Sequence, residues 1–310
     1  MLLGKMADSM LSQKQLFWRE FWILFGVALV VSLPFWWFMH FPIDALTWLF
    51  PIASRPKSIW IIILTYCGQQ TIDLAVFVSV GLWAAHRVGL GAPILERWLR
   101  NEPIDLRVHR YLTPVAATAA LIAIGSNLST LPIFHPNQKQ LAASVDEFMK
   151  KVGNGQFPNL GDIQNATHLT PISLTASWIV RAVVGELNGS LFMVSVFVFV
   201  LVLVARQQTV PPSKWFMWGG ILGVVVFHLV GNVYGDLIGT RATQYFYNQI
   251  HVPRDPFWLV AIRHCLGAAL KDVGFGWVYV TFGIECAIVT SFLAAVMAEL
   301  LFRFVFIHFV

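Results

Sequence analysis

One apolar stretch, residues 178–206, restricts the fold more than any other feature of the chain. It reads WIVRAVVGELNGSLFMVSVFVFVLVLVAR, which exceeds the roughly 20 apolar residues that cross a bilayer as a helix. Near its start, however, it carries Arg181, Glu186, Asn188 and Ser190. A charged residue at the centre of a membrane helix costs about 2.5–3.5 kcal/mol on insertion scales. We therefore expect Glu186 either to face the interior of a helical bundle or to lie near the interface, where water or Arg181 offsets that cost.

The composition of the whole chain indicates the same class of protein. Its 310 residues are 57% hydrophobic and only 12% charged, with a mean hydropathy of +0.68, whereas a soluble domain carries about 25% charged residues. The chain is therefore predicted to be an all-α, polytopic transmembrane helical bundle in one integral membrane domain. In such a protein the net charge of +5 indicates topology and contact with anionic lipid headgroups rather than nucleic acid. The three cysteines form no metal-ligand pattern, and no cofactor or metal is expected.

Seven segments are long and apolar enough to cross the membrane. They are residues 17–39, 59–85, 111–133, 174–205, 215–238, 258–279 and 283–309. The fourth segment is long enough to break near Asn188 and Gly189 into a shorter helix and a full span. The predicted number of helices is therefore about seven to eight.

Basic residues predict the topology. The N-terminal segment and residues 86–110 are both basic and are separated by two spans, so they fall on the same side, which the positive-inside rule makes cytoplasmic. Residues 207–214 then fall inside as well. The polar insertion at 134–172 falls outside, as an extramembrane lobe that we expect to contact other membrane proteins. The expected location is the bacterial inner membrane, with a cytoplasmic N-terminus.

Two shorter helices are also predicted outside the spans. Residues 91–100, GAPILERWLR, have the pattern of an interfacial helix with Pro93 in its first turn. A short helix is possible at 138–152, within the polar insertion.

Three pieces of the sequence together resemble a known family. They are GLWAAHRVGLGAPILERWL at 81–99, FGWVYVTFGIECA at 275–287 with Arg263 at a fitting distance before it, and the central stretch with Glu186. In this order they resemble bacterial members of the CAAX protease and bacteriocin-processing family, also called Abi or type II CAAX prenyl endopeptidase-like proteins. The resemblance covers the chain from residue 81 onward, leaving out 135–170.

The resemblance implies a helical membrane bundle with a polar site between helices. In the family, one carboxylate of a Glu pair acts as general base on a water, an Arg fixes the second carboxylate, and histidines and an amide stabilise developing charge. The Glu pair of the family's first motif falls on Gly185 and Glu186 here, and its Arg position falls on Ser190. Only one carboxylate of this motif is therefore present.

The other two motifs of the family are also incomplete. The Phe of the second motif is matched by Phe227, but its His position falls on Gly231. The final His position falls on Ser291, and the position of its Asn or Asp partner falls on Ala295. The resemblance therefore implies a member of the family that lacks most of the proteolytic machinery.

Nearby residues offer a relocated site as an alternative. His228 and Asn232 are four positions apart, so they share one helix face, and together with Glu186 they are the candidate catalytic residues if the protein is active. Glu299 and Arg303 have the spacing of the family's Glu-x-x-x-Arg motif. The competing interpretation is that His228 and Asn232 only bond a neighbouring helix, and that Glu299 and Arg303 neutralise each other.

Other polar residues in apolar segments are further candidates for a site. They are Asp73, Arg263, Lys271, Asp272 and Glu285. Such residues either line a cavity or hold the helices of a bundle together by hydrogen bonds.

Three functions follow from these observations. The leading hypothesis is a divergent, non-proteolytic member of the family that acts as a membrane-embedded binding or accessory subunit. The second is an active intramembrane peptidase with a relocated site, built on Glu186, His228 and Glu299. The third is a small membrane transporter whose intramembrane charges carry a substrate or a proton.

Overall fold

In a computed structural model of the protein, the described residues are 12–38, 59–103, 108–137, 171–207, 209–237 and 255–306, with four further positions between 140 and 147. These residues form helices and no strand. The α-helices are α1 (Gln13–Phe38), α2 (Ile59–Val88), α3 (Pro93–Leu99), α4 (Val108–Ser129), α5 (Pro171–Glu186), α6 (Ser195–Val204), α7 (Lys214–Leu237), α8 (Phe257–His264), α9 (Leu270–Phe282) and α10 (Ile284–Phe304). Two π-helical segments, Leu187–Val194 and Cys265–Ala269, join α5 to α6 and α8 to α9, and a 3₁₀ turn at Pro132–Phe134 follows α4.

Six helical segments within these ranges are long and apolar enough to cross a membrane. The predicted all-α bundle is thereby confirmed, and the chain is an integral membrane protein. The seventh predicted span corresponds to the continuous helical segment formed by α8, the second π-helix and α9. Arg263, Lys271 and Asp272 lie in this segment, so it carries three charged residues.

The long central segment does not break near Asn188 and Gly189, so that possibility is wrong. The helix instead continues from α5 through the π-helix Leu187–Val194 into α6. A broken helix would leave backbone N–H and C=O groups without partners in hydrocarbon, at several kcal/mol each. A π-helix keeps these groups hydrogen-bonded while it changes the direction of the side chains that follow.

The π-helix Leu187–Val194 packs against α2 and lies at the centre of the bundle. Gly81 on α2 allows this close approach: a Cβ atom there would lie 3.0 Å from the carbonyl oxygen of Leu191 and 3.0 Å from the Cα of Phe192. Around this contact Leu82, Leu187 and Leu191 are fully buried. The position of the π-helix is therefore fixed by backbone packing as well as by side chains.

Buried hydrogen bonds join helices that are distant in sequence. The hydroxyls of Ser195 on α6 and Tyr279 on α9 lie 2.6 Å apart. The Asn127 side chain on α4 donates to the carbonyl oxygen of Ala298 on α10 at 2.9 Å. In a membrane, such bonds replace the hydrophobic effect as a source of helix association.

The two ends of the bundle carry different connections. Gln13, Gly89 and Arg100 line one cavity, so the start of α1 and the residues around α3 share an end, where Val210 also lies against Gly89. At the other end the Asn137 amide donates to Asp255 at 3.1 Å. Most of the insertion 134–172, including most of the possible helix at 138–152, lies outside the described residues.

The predicted interfacial helix is present as α3, with Pro93 at its first position. The carboxylate of Glu285 on α10 accepts hydrogen bonds from the backbone N–H groups of Ile94 at 3.0 Å and Leu95 at 2.8 Å. It therefore satisfies amides that a helix N-terminus leaves without intrahelical partners. Gly283, with φ of +96°, makes the sharp turn into α10, and a Cβ atom there would lie 2.2 Å from the Pro93 ring.

Candidate functional site

A small polar cavity lies between the central helix, α7 and α9. Its volume is about 110 Å³. The described residues that line it are Gly185, Glu186, Asn188, Gly189, Ser190, Val194, Val224, His228, Lys271, Asp272, Phe275 and Gly276. The cavity thus brings together charged residues from three helical segments that a lipid environment would otherwise exclude.

Glu186 points into the bundle, which decides between the two positions expected for it. Only 3% of its surface is exposed. The Ser190 hydroxyl donates to the Glu186 carboxylate at 2.5 Å, and Ser291 on α10 lies near the same carboxylate. Glu186 ends α5 and Ser190 lies in the π-helix that follows. A serine hydroxyl therefore bonds the buried carboxylate directly, and Lys271 is the cation that lines the same cavity.

A second pair of side chains lies on the same cavity. Nδ1 of His228 on α7 and Oδ2 of Asp272 on α9 are 2.9 Å apart. Lys271 also lines the cavity and its Nζ lies 5.7 Å above the ring of Phe275. The site therefore holds two carboxylates, one lysine and one histidine, with the histidine bonded to Asp272.

The residues predicted from the family motifs are partly gathered here. Glu186 contacts Ser190 and Ser291, which stand at the Arg position of the first motif and the His position of the last one. Phe227 and Gly231 are exposed on α7 and do not belong to the described lining of the cavity.

Asn232 does not join the candidate catalytic residues. It is exposed on α7, whereas His228, one helical turn earlier, lines the cavity. The shared helix face predicted for the two residues therefore does not give them a shared site. The same is true of Asp73, which is half-buried on α2 and outside the described lining of the cavity.

Arg263 lies at the other end of the bundle and not beside Glu186. Its guanidinium bonds Asp255 at 2.8 Å and also approaches Nδ1 of His135 at 3.3 Å. These contacts tie the start of α8 to the residues after α4. Arg263 thus holds the first residues of the insertion against the start of α8.

Three further candidates also lie away from the cavity: Glu285, Glu299 and Arg303. Glu285 caps α3, as described above. Glu299 and Arg303 form the i,i+4 ion pair that their spacing predicts, at 2.6 Å. More than half of the Arg303 side chain is exposed, so this pair lies on the outer surface of α10 and is separate from the cavity.

One cluster of titratable residues was not predicted from the sequence. Glu20 on α1, His86 on α2 and Glu96 on α3 place one donor atom each within 4.8 Å of one another. Burial, first, and then the neighbouring charge of Glu20 raise the pKa of Glu96. The available signal was Glu20 itself, a carboxylate within the apolar run FWREFW, but its partners are 66 and 76 positions away in sequence.

Comparisons with known proteins identify no relative of the chain. No family model, curated protein or solved structure matches the chain.

Proposed function

We propose that the chain is a divergent, non-proteolytic member of the CAAX-protease-like membrane family, acting as a membrane-embedded binding or accessory subunit. The observation that carries the proposal is the environment of Glu186. A carboxylate that activates water needs a free lone pair directed at that water and a neighbouring group that stabilises the oxyanion. Here the Ser190 hydroxyl bonds the carboxylate, and a serine, Ser291, stands near it at the position of the family's final His.

The packing of the motif segments supports the family part of the proposal. The segments 81–99 and 275–287, on which the resemblance rests, contact each other through the turn at Gly283 and the cap that Glu285 makes on α3. The backbone N–H of Ile284 also donates to the carbonyl of Gly91 at 3.1 Å. Two segments almost 200 positions apart thus pack as one structural unit. This contact fits their joint part in the resemblance.

The size of the cavity supports the binding or accessory role. Drug-sized ligands occupy pockets of about 300–1,000 Å³, whereas the cavity at Glu186 measures about 110 Å³. It holds several water molecules or a small polar group and leaves no room for an extended peptide. The proposed role is therefore exerted through protein contacts, with the insertion 134–172 as the proposed contact surface.

A peptidase with a relocated site is the second candidate, because one observation favours it. His228 lines the same cavity as Glu186 and is oriented by Asp272, the arrangement in which a carboxylate positions a histidine base. The transporter hypothesis has no comparable observation in its favour.

The decisive experiment is to assay the purified protein against prenylated and transmembrane peptides, beside Glu186→Gln, His228→Ala and Glu299→Gln variants. We expect no cleavage by any of the four proteins. Glu299→Gln is the matched control, since it also removes one carboxylate from a membrane helix but lies away from the cavity. Cleavage that is lost in Glu186→Gln and His228→Ala and kept in Glu299→Gln would establish the relocated site and overturn the proposal.

The accessory role is tested by cross-linking the protein in membranes and identifying its partners. We expect the partner yield to be unchanged by Glu186→Gln and to fall when residues 134–172 are replaced with a short Gly/Ser linker. The level of folded protein in detergent serves as the control for both variants. An unchanged yield in the linker variant would count against the insertion as the contact surface.

A further inference from the structure

The cluster of Glu20, His86 and Glu96 lies at one end of the bundle, apart from the Glu186 cavity. It plays no part in the function proposed above. Nε2 of His86 and Oε2 of Glu20 are 2.6 Å apart. The donor atoms of all three residues lie within 4.8 Å of one another. Each residue comes from a different helix, α1, α2 and α3, so the cluster is a meeting point of the three and not a local feature of one.

The Glu20 carboxylate provides the independent observation that points to a ligand. Glu20 is fully buried, with 0% of its surface exposed. Its second oxygen, Oε1, has no hydrogen-bond partner within the part of the chain that the structure describes. A buried carboxylate oxygen without a partner is costly, and natural structures rarely leave one without a bound water or ion.

We propose that Glu20, His86 and Glu96 form a binding site for one divalent transition-metal ion. Imidazole and carboxylate together suit zinc and its neighbours among the first-row metals, whereas magnesium and calcium prefer oxygen ligands alone. Zinc bonds to nitrogen and oxygen measure about 2.0–2.2 Å, which places ligand atoms about 3.3 Å apart in a tetrahedron. The three donor atoms already lie within the range from which small side-chain rotations reach that spacing.

The charges of the cluster fit a divalent cation. Two carboxylates and a neutral imidazole offset the two charges of the ion. On binding, the ion replaces the hydrogen bond between His86 and Glu20, and the single N–H of the neutral imidazole then lies on Nδ1. In the metal-free protein, Arg100 on the same cavity offsets part of the charge of Glu96.

An ion can reach the cluster through the larger cavity at this end of the bundle. That cavity measures about 430 Å³ and is lined by His86, Glu96 and Arg100, together with Tyr111 and Gly91. It leaves space beside His86 and Glu96 for a water molecule as the fourth ligand. A site with three protein ligands and one water is the arrangement found at reactive zinc centres.

The test is zinc binding by the full-length protein, purified in detergent and stripped with a chelator. We expect about one zinc ion per chain in competition with a chromophoric chelator. Glu20→Gln and Glu96→Gln should each weaken binding at least about tenfold, because even the loss of residues behind the direct ligands costs about 10–100-fold. Glu102→Gln is the matched control, as it removes the same charge from an exposed position just after α3.

The outcome depends on comparing the variants. Glu96 is only half-buried, so Glu96→Gln should fold even if Glu20→Gln does not. Cobalt provides a second readout, since tetrahedral Co²⁺ has visible d–d absorption bands that loss of the nitrogen ligand in His86→Gln should weaken and shift. Absence of stoichiometric binding, or binding that Glu96→Gln leaves as tight as Glu102→Gln does, would overturn the proposal.

Discussion

Two glutamates are buried within the part of the chain that the structure describes, and their surroundings differ in kind. Glu186 lies in the middle of the bundle, where the hydroxyl of Ser190 bonds it and Ser291 lies near it. Glu20 lies near one end, where His86 bonds one of its oxygens and the other has no partner among the described residues. One carboxylate is satisfied by neutral groups, and the other is paired with a titratable group and only half satisfied.

This difference shows that burial alone does not identify a functional carboxylate. Burial makes both glutamates costly, but their partners determine what each can do. A carboxylate that accepts a hydrogen bond from a buried hydroxyl is stabilised in place. A carboxylate beside an imidazole and a second carboxylate, with one oxygen open, has the ligand set that we propose for a cation.

The largest effect is expected from removing the partner of Glu20. In metal-free protein, His86→Leu leaves a buried carboxylate without its partner, and breaking a buried pair in this way costs about 3–5 kcal/mol. Unfolding in bicelles, followed by steric trapping, measures this loss. The Glu20→Leu and His86→Leu double variant should recover most of it, because an apolar pair of similar volume is often neutral. A double variant as unstable as the single one would show that the pair is not coupled.

A smaller loss is expected from crowding the π-helix that carries Ser190. Gly81→Ala places a Cβ atom 3.0 Å from the backbone of Leu191, and overpacking of this kind costs about 1–3 kcal/mol. Gly185→Ala is the matched control, as no atom lies within 4 Å of its Cβ position and alanine favours the helix by up to about 1 kcal/mol. The unfolding free energies should therefore change in opposite directions. Equal changes would mean that the contact with α2 does not hold the π-helix.

The hydroxyls around Glu186 should show effects of similar or smaller size. Ser190→Ala removes a buried bond to the carboxylate, and leaving such a group unsatisfied costs about 1–3 kcal/mol. Ser79→Ala, whose hydroxyl bonds only its own helix at Val76, should cost much less. If both variants were equally stable, the hydroxyls would not be what satisfies Glu186, and its comparison with Glu20 would lose its basis.

The smallest effect is expected from a carboxylate on the outer surface. Glu299→Gln removes the i,i+4 pair with Arg303, and exposed pairs of this type contribute about 0.3–0.5 kcal/mol. The loss should disappear in high salt, because exposed charges are screened. A salt-independent loss above about 1 kcal/mol would show that this pair is shielded from solvent in the membrane.

The fold was largely predictable from the sequence. Each membrane helix needs a long apolar run, and such runs remain visible whatever their neighbours are. The π-helix at Leu187–Val194 was not predictable in the same way. Asn188 and Gly189 indicated an irregularity, but only the requirement to keep backbone groups bonded in lipid decides between a break and a widened helix.

The candidate site was predictable as a set of residues but not as an arrangement. Glu186, His228 and Asp272 were all identifiable as polar residues in apolar helices. Which of them meet depends on the rotation of each helix about its axis, and a single sequence does not specify that rotation. Asn232 shows the consequence, since one helical turn from His228 was enough to leave it outside the cavity. The partners of Glu20 were hidden for the same reason.

The cap that Glu285 makes on α3 also has a consequence for biosynthesis. The amide of Leu95 and the carboxylate that bonds it are 190 positions apart in sequence. At about 5–20 residues per second, a ribosome needs about 10–40 s to make the chain between them. During that interval the first turn of α3 has no carboxylate to bond it and can rely only on water or headgroups at the membrane surface. The short helix is therefore among the first elements to be made and among the last to be fastened in place.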